Sequence, residues 1–580
     1  MLNLQVRTGT MEREERDKIT SERYADLIIQ YKGDNSILDE YRVYKGNTIN
    51  IIDQNFAIVH IPVERISKEQ NTEFSISTMP SCFTIIADAE SDPHNLKDFK
   101  SVPNISIKGT TTLIGYIDTG ADYTNPIFKY ADNSSKILSI WDQTISSETQ
   151  YPNDIFYGTE FKQDQINLAL KNEFPLSIVP STDDIGHGTM LAEITDEAFT
   201  EAKNTGDLIP DLEYLIVKLK PAKSYLKDFF AISKDTLCYQ ENDIMLGIKY
   251  LITVAKQYQR PIAICIAVGT GLGSHDDLSF LNTYLSSISN QTGTAVVAAA
   301  GNEGDKDGHY FSEVDPQVGY DLIELHIAQN EPGFSMQIWG DASNIFTIDI
   351  TSPTGDHISQ IPIKQGKNLT FSYLFEETIV YVDYTLVESQ TGDQLILVRF
   401  IKPQPGVWAF RVFAKGDPPF SYHIWLPGSG FITKETYFTD ANPYTTITSP
   451  GNATSPITVS TYNLSEHKIL DSPSKGYTRA NVIKPELVVP CLNFYESSES
   501  NEVKCSLSTS VSAAYATGIV ALLLDWGIIR GNYPTLNSFE IKKLLVRGAL
   551  RSPDITYPNQ ELGYGILNIY KTFEKLNNVD

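Results

Sequence analysis

Between residues 105 and 305, short apolar runs alternate with longer amphipathic segments. The strand-like runs are TTLIGYID, LEYLIVKLK, PIAICIAVG and AVVAAAGN. The segment NDIMLGIKYLITVAKQY places Met245, Ile248, Ile252 and Ala255 at the spacing of one helix face. Strands that alternate with helices predict an α/β fold, in which a parallel sheet is flanked by helices. Ligand sites in such sheets lie at the carboxyl ends of the strands.

The pattern changes on either side of this region. Residues 1–95 contain a helix-like stretch and the strand-like runs INIIDQNFAIVHIPV and PSCFTIIAD, which together predict a small α+β module. Residues 306–440 contain short alternating strands such as FTIDI, LILVRF and VWAFRVF between turn signals. Many short strands of this kind predict a β-sandwich or jelly roll. The α/β pattern resumes in SPITVSTYN and KPELVVP, so the sandwich is predicted to be an insertion.

Four short segments carry residues suited to nucleophilic catalysis. They are Asp118 in IGYIDTG, His187 in GHGT, Asn302 in AAAGNEG and Ser510 in STSVSAA. A serine needs a nearby base, a carboxylate can orient that base, and an amide can donate to a developing oxyanion. Each segment alone also fits an ordinary structural role, such as a helix cap or a turn. The four together, in the order Asp, His, Ser, indicate a serine hydrolase.

On these segments the chain resembles the subtilase family of subtilisin-like serine proteases. Over nearly its whole length it is also similar to the Csp germination proteases of clostridial spores, in phrases such as KILSIWDQTI, VPSTDDIGHGT, GNEGDKDGHY and ELGYGILNIY. The resemblance implies that Asp118, His187 and Ser510 form a catalytic triad and that Asn302 lines the oxyanion hole. It also implies that residues 267–269 (Ala267, Val268 and Gly269) form the wall that pairs with the substrate strand.

The resemblance implies a division of the chain into four segments. Residues 1–95 would be a prodomain, an intramolecular chaperone and inhibitor that is cleaved off and stays bound non-covalently. An accessory domain is the other interpretation of this module. Residues 96–305 and 441–580 would form the subtilase domain, interrupted by a jelly-roll insertion at 306–440. Self-cleavage is expected between Thr84 and Asn95, upstream of Asp118.

The expected substrate is a protein, the zymogen of a spore cortex-lytic hydrolase that is activated by limited proteolysis. Four positions depart from the family pattern. Glu193, Cys491 and Ser508 stand where glycine is usual, and Ala514 stands at the usual proline. We expect the Ser508 side chain to narrow the specificity pocket or to crowd the scissile bond. A weakly active or inactive pseudoprotease that acts as a signalling or binding scaffold therefore stays open, as does a degradative protease.

Composition restricts the partners and the location. The 580 residues include 46 basic and 72 acidic side chains, a net charge of −26, which repels nucleic acids and anionic membranes. The five cysteines have no metal-ligand spacing, so we expect reduced thiols, no metal centre and no required cofactor. Structural calcium is compatible with the family resemblance. No signal-like segment or long apolar run is present, so we expect no membrane span and an intracellular or spore-associated location.

Overall fold

The leading part of the chain folds into a small α+β module. The structure is a computed structural model that describes residues 11–66, 76–87, 109–203, 210–359, 361–363, 368–373, 377–463, 468–491, 493–495, 503–505 and 508–577. The elements of the module are α1 (Arg13–Thr20), β1 (Tyr24–Gln30), α2 (Asn35–Arg42), β2 (Thr48–Ile51) and β3 (Phe56–Pro62). The three strands form an antiparallel sheet in the order β1-β3-β2. A further strand, β4 (Cys82–Ile85), leaves this sheet and pairs elsewhere.

A nine-stranded sheet follows, at the centre of the described chain. The first part of this region contains β5 (Leu113–Asp118), β6 (Ile137–Asp142), β7 (Thr159–Lys162), α3 (Gln163–Leu170), α4 (His187–Lys203), β8 (Glu213–Lys218), α5 (Ser224–Phe229), β9 (Tyr239–Gln240), α6 (Glu241–Tyr258), β10 (Ile262–Ile266), β11 (Val268–Gly269), α7 (Phe280–Ser289) and β12 (Thr294–Ala299). Strands β9 and β11 lie outside the nine-stranded sheet and pair with β4. Strands β12, β10, β5, β8 and β6 lie side by side and are parallel. β5 is buried along its whole length, as expected for a strand covered on both faces.

The inserted region is a β-sandwich. It contains β13 (His309–Glu313), β14 (Asp321–Ile327), β15 (Gly333–Gly340), β16 (Ile345–Thr351), β17 (His357–Ile358), β18 (Asn368–Ser372), β19 (Ile379–Thr385), β20 (Gln394–Ile401), β21 (Gly406–Lys415), β22 (Ser421–Trp425) and β23 (Tyr437–Phe438). A six-stranded sheet, β13-β22-β15-β20-β19-β18, and a five-stranded sheet, β17-β16-β21-β14-β23, share one apolar core. Ile348 in β16 and Phe410 in β21 are fully buried in this core, which agrees with the alternating pattern of FTIDI and VWAFRVF. Jelly-roll connectivity stays a prediction.

The last part of the chain completes the central sheet. It contains β24 (Ile457–Asn463), β25 (Lys468–Ile469), β26 (Leu487–Pro490), β27 (Asn493–Tyr495), β28 (Val503–Cys505), α8 (Thr509–Leu524), α9 (Ser538–Gly548) and α10 (Ile569–Asn577). β24 adds parallel to β12, and β26 adds parallel to β24. The parallel sheet flanked by helices that the sequence predicts is therefore present. The domain boundaries stay predictions, and the boundary at 95 and 96 lies outside the described residues.

Helix α8 crosses one face of the sheet and contacts β10, β12, β24 and α4. Gly518 lets α4 approach closely, because a Cβ there would lie 2.6 Å from the carbonyl oxygen of Thr195. Thr509–Ile529 is the one helical segment of the described chain that is long and apolar enough to cross a membrane. Its most apolar window is 78% buried inside the protein, so we interpret it as a core helix.

The leading module packs against the opposite face of the central domain, over α6 and α7. The ring of Phe56 makes edge contacts with Phe280 and Tyr284, at centroid distances of 6.0 and 6.2 Å. A buried ion pair joins Lys223 to Asp26 at 2.6 Å. Strand β4, which follows this module, pairs with β11 and β9 of the central domain.

Candidate active site

The Asp118 carboxylate lies at the carboxyl end of β5, and His187 begins α4. Thr119 and Gly120, the residues that follow Asp118, lie against the first turn of α4. Gly120 has φ +122°, a conformation that favours glycine. A Cβ on Gly188 would lie 2.2 Å from the carbonyl oxygen of Gly120, so glycine is needed at position 188 as well. These two glycines allow the first turn of α4 to lie against the end of β5.

The structure brings the three predicted triad side chains together. His187 Nδ1 lies 2.8 Å from Asp118 Oδ1, and His187 Nε2 lies 3.4 Å from Ser510 Oγ. All three residues are buried, with exposed fractions of 1% for Asp118 and His187 and 0% for Ser510. Because a carboxylate only accepts, Nδ1 donates to Asp118, which leaves the Nε2 lone pair facing the serine hydroxyl.

The electrostatic surroundings raise the pKa of His187 above its ordinary value of 6.5. Burial is the largest single influence and lowers this pKa. The charge of Asp118, its hydrogen bond, the charge of Asp183 and the backbone of Ile86 together outweigh burial. The site is therefore built to stabilise an imidazolium, as a general base that accepts a proton requires.

Asn302 follows β12 and lies beside the amino end of α8. Its Oδ1 accepts hydrogen bonds from the backbone N–H and the hydroxyl of Thr509, at 3.1 and 3.0 Å. These two bonds fix the amide so that Nδ2 donates to Ser508 Oγ at 3.3 Å. The predicted oxyanion donor thus lies in the same cluster as Ser510.

The cleft beside this cluster is occupied by the chain itself. Strand β4 runs antiparallel to β11 on one side and to β9 on the other. Thr84 faces Gly269 and Ile85 faces Val268, and the N–H of Ile86 donates to the carbonyl of Ala267 at 2.9 Å. The predicted substrate-binding wall therefore pairs with an extended strand in the structure.

The segment ends at the catalytic cluster. The carbonyl oxygen of Ile86 accepts a hydrogen bond from Ser508 Oγ at 3.0 Å, and Ser508 Oγ lies 2.8 Å from Ser510 Oγ. Ala87 is exposed, and the remainder of the predicted cleavage window, from residue 88 to Asn95, lies outside the described residues. The sequence located this segment only within the range from Thr84 to Asn95. The backbone pairing with residues 267–269 shows that Ile86 is the residue of this range that lies beside Ser510.

Comparisons with known proteins agree with this arrangement. The subtilase family model matches residues 411–565, a segment that includes Ser510. The structure of the CspB protease of Clostridium perfringens is similar with a TM-score of 0.67 and 27% identity, over 80% of this chain and 93% of that chain. The chain is similar to the subtilase family over this segment. Over most of its length it is similar to that Csp protease.

Other solved structures are more distant. The patellamide maturation protease PatA has a TM-score of 0.36 and 13% identity, over 82% of this chain and 100% of that chain. The protease Apa1 of Pseudoalteromonas sp. AS-11 has a TM-score of 0.29 and 12% identity, over 81% of this chain and 94% of that chain. No curated protein sequence matches this chain. The two distant structures add nothing to the functional argument.

The positions at which this chain departs from the subtilase pattern have different surroundings. The Glu193 carboxylate accepts a hydrogen bond from Asn125 at 2.8 Å, and burial raises the pKa of Glu193. Ala514 is buried in α8, and its carbonyl accepts a hydrogen bond from Thr195 at 2.9 Å. Ser508 is the departure that contacts Ser510 directly.

The cysteines partly correct the sequence-based expectation. Cys82, Cys238 and Cys265 are free and buried, as expected. Cys491, at the end of β26, forms a disulfide, so the expectation that every thiol is reduced is wrong. An odd number of cysteines excludes complete pairing but leaves room for a single bridge.

Sequence reasoning missed the polar network that fixes the His187 turn. Asp183 accepts hydrogen bonds from the Thr119 hydroxyl and the Gly186 N–H, at 2.7 and 2.9 Å. It also accepts from the N–H and hydroxyl of Thr189, at 2.9 and 2.7 Å. The pair of aspartates in STDDIG, just before GHGT, was the available signal. Among the described residues, no group of three or more His, Cys, Asp or Glu side chains is arranged to hold a metal ion.

Proposed function

We propose that this protein is an active serine endopeptidase that cleaves its own chain between Ile86 and Ala87. The observation that carries the proposal is the position of the Ile86 carbonyl. It accepts a hydrogen bond from Ser508, beside Ser510, and it follows a strand that pairs with the cleft wall. A substrate backbone held on both sides in this way is oriented before reaction, which lowers the entropic part of the barrier.

In the proposed reaction Ser510 Oγ attacks the carbonyl carbon of Ile86, and its proton passes to His187 Nε2. The π electron pair moves to the carbonyl oxygen, where Asn302 and the backbone N–H of Ser510 are the expected donors. Asp118 holds the imidazole and stabilises its positive form. His187 then gives the proton to the nitrogen of Ala87 as the Ile86–Ala87 bond breaks. Water attacks the acyl-enzyme by the same route in reverse.

The cleaved module is proposed to remain bound as an inhibitor. Its contacts do not depend on the peptide bond at residue 86, because the buried ion pair between Asp26 and Lys223 and the packing of Phe56 lie away from the cleft. The Ser81 N–H also donates to Glu241 Oε2, and the Glu241 N–H donates to the Ser81 carbonyl, both at 3.0 Å. These contacts support an inhibitory prodomain rather than an accessory domain.

The test is the length of the purified chain. Wild type should yield two fragments that stay associated, the second with Ala87 at its amino end, and Ser510→Ala should remain one full-length chain. Ser512→Ala is the matched control, because Ser512 lies in the same helix and contacts Thr461. If wild type stays intact and does not react with a serine-directed fluorophosphonate, the endopeptidase proposal fails.

The protein acted upon is proposed to be the zymogen of a spore cortex-lytic hydrolase, in an intracellular or spore-associated setting. Its support is the similarity to the Csp protease of C. perfringens. We further propose that the reaction needs no cofactor, since the triad supplies every proton-transfer step. Incubation with candidate zymogens, with sequencing of the new amino ends, tests the substrate. Activity in excess EDTA tests the cofactor proposal.

A scaffold without protease activity is the second candidate. Two observations favour it: the 3.4 Å separation between His187 Nε2 and Ser510 Oγ, and the competing contact between Ser508 and Ser510 at 2.8 Å. Hydrogen bonds of catalytic groups are often long before the reactive complex forms, so the distance alone does not decide against activity. The fragment pattern of wild type decides between the two candidates.

A further inference from the structure

Ser508 has a hydroxyl that the fold does not use for capping. It occupies the N-cap position of α8, where a serine side chain ordinarily accepts a hydrogen bond from the first turn. Here the side chain makes no cap hydrogen bond. Its oxygen is instead directed at the carbonyl of Ile86, at 3.0 Å. The residue is 1% exposed, so this contact is shielded from bulk water.

The contacts of Ser508 Oγ fix the direction of its hydrogen. A hydroxyl has one hydrogen and can accept two hydrogen bonds. The amide of Asn302 can only donate from Nδ2, and the carbonyl of Ile86 can only accept. The hydrogen of Ser508 therefore lies on the Ile86 oxygen, while Asn302 Nδ2 and the hydroxyl of Ser510 donate to Ser508. Ser508 thus links the amide of Asn302 to the carbonyl.

We propose that Ser508 is a catalytic residue of this protein, a side-chain oxyanion donor in the space that glycine leaves open in relatives. This inference rests on the proposed endopeptidase function. As Ser510 forms its bond to the carbonyl carbon, negative charge develops on the oxygen to which Ser508 already donates. The Ser508 hydrogen stays on Ser508 throughout. The hydroxyl of Ser510 turns its hydrogen from Ser508 to His187 Nε2, which takes the proton as the new bond forms. Donation from Asn302 polarises the Ser508 hydroxyl and strengthens its bond to the oxyanion.

Oxyanion donation by Ser508 and crowding by its side chain predict opposite changes in the kcat of the Ser508 variants. If the Ser508 side chain crowds the scissile bond, Ser508→Gly raises kcat. If its hydroxyl stabilises the oxyanion, Ser508→Ala and Ser508→Gly both lower kcat. Loss of one oxyanion donor typically lowers kcat by about 10²- to 10³-fold. Because Asn302 would still donate to the oxyanion, we expect a smaller decrease here, of at least about tenfold. Ser508→Thr keeps the hydroxyl and should restore part of the rate.

The experiment uses the full self-processed chain and saturating concentrations of a peptide p-nitroanilide ending in Phe-Thr-Ile-Ile, the sequence of residues 83–86. The peptide competes with the bound module for the cleft, which raises the apparent KM and Ki in wild type and variants alike and leaves kcat at saturation unaffected. We expect Ser508→Ala to lower kcat about tenfold or more, with a smaller change in KM. A peptide boronate of the same sequence forms a tetrahedral adduct, so its Ki should rise by the same factor as kcat/KM falls. A change that only disturbed folding would not link these two quantities. Ser512→Ala serves as the control for a buried serine of the same helix.

The outcomes separate the two proposals. If wild type cleaves itself while Ser508→Ala and Ser508→Gly turn over as fast or faster, the role of Ser508 is overturned and the endopeptidase function stands. If wild type neither cleaves itself nor binds the boronate, both proposals are overturned. A loss of kcat with an unchanged Ki for the boronate also rejects oxyanion donation, because the tetrahedral adduct would not depend on the hydroxyl.

Discussion

The described part of the chain contains two buried Asp–His pairs of nearly the same geometry and different chemistry. In the central domain, His187 Nδ1 lies 2.8 Å from Asp118 Oδ1. In the leading module, His60 Nδ1 lies 2.7 Å from Asp26 Oδ1. All four residues are 1% exposed. Yet the pKa of His187 is raised above 6.5 and that of His60 is lowered below it.

The two histidine pKa values differ because the two carboxylates have different further ionic partners. Burial lowers the pKa of both histidines, and Asp26 opposes this effect for His60. Lys223, however, lies 2.6 Å from the same Asp26 oxygen, and its charge lowers the pKa of His60. A second carboxylate raises the pKa of each histidine, Asp183 for His187 and Asp243 for His60, so the difference lies in the ammonium of Lys223 beside Asp26.

The other ring nitrogen differs as well. Nε2 of His187 faces the hydroxyl of Ser510. Nε2 of His60 is buried and has no hydrogen-bond partner within the described part of the chain. A carboxylate at hydrogen-bond distance is therefore not sufficient to make a buried histidine a general base. The carboxylate must be free of a buried cation, and the distal nitrogen must reach a group that can react.

The largest expected effect concerns the catalytic pair. Asp118→Asn removes the negative charge and allows the wrong tautomer of His187, so kcat should fall by about 10⁴-fold. The rate of self-cleavage, followed by the amount of full-length chain over time, measures it. Asp26→Asn is the matched control, and its folded fraction should cleave at the wild-type rate. Equal loss in both variants would contradict the distinction between the pairs.

Asp26→Asn should instead act on stability. It leaves the ammonium of Lys223 buried without its carboxylate, and breaking such a pair costs about 3–5 kcal/mol. Chemical denaturation of the full-length Ser510→Ala chain, followed by the transition of the leading module, measures this change. Adding Lys223→Met should recover part of the loss, because it removes the uncompensated charge. An unchanged midpoint in Asp26→Asn would show that the ion pair does not hold the module.

A third group of histidines should make stability depend on pH. His275, His309 and His423 stack around Trp425 at the junction with the sandwich. Burial lowers the pKa of His275 to about 4. The unfolded chain binds this proton near pH 6.5 and the folded chain does not, so stability is present above pH 6.5 and falls as the pH drops towards 4.

Each histidine that must stay neutral contributes about 1.4 kcal/mol per pH unit in that window. His275→Gln should therefore reduce the slope of the unfolding free energy against pH, since glutamine can still donate to the Gly271 carbonyl that His275 contacts. Thermal unfolding between pH 4 and 7 measures the slope. If the variant keeps the full wild-type slope, His275 does not control the acid sensitivity.

The smallest expected effect comes from removing the charge of Asp183, the second carboxylate that raises the pKa of His187. Activity requires neutral His187, so kcat/KM falls as the pH drops through its pKa, which lies above 6.5. Asp183→Asn removes a charge that raises this pKa. The acid limb of the pH–rate profile should then move to lower pH, by about one unit or less. A shift to higher pH would contradict the assignment of Asp183.

Much of the fold and the site was predictable because it depends on local pattern. The strand before Asp118 and the helix that carries Ser510 follow from continuous apolar runs, and the inward faces of the sandwich follow from alternation at Ile348 and Phe410. The disulfide at Cys491 was missed because pairing depends on distances that spacing does not give.

The sequence by itself determined which chemical groups this protein carries and the α/β framework that holds them, since periodicity and motif order are properties of the chain. Only the tertiary structure decided which Asp–His pair faces a nucleophile, that the carbonyl of Ile86 lies in the cleft, and that the Ser508 hydroxyl points to it. These outcomes depend on atoms brought within about 3 Å from residues that are hundreds apart in sequence, as Ile86 and Ser508 are. Hydrogen bonds and charge interactions change steeply over such distances, so packing rather than composition sets them.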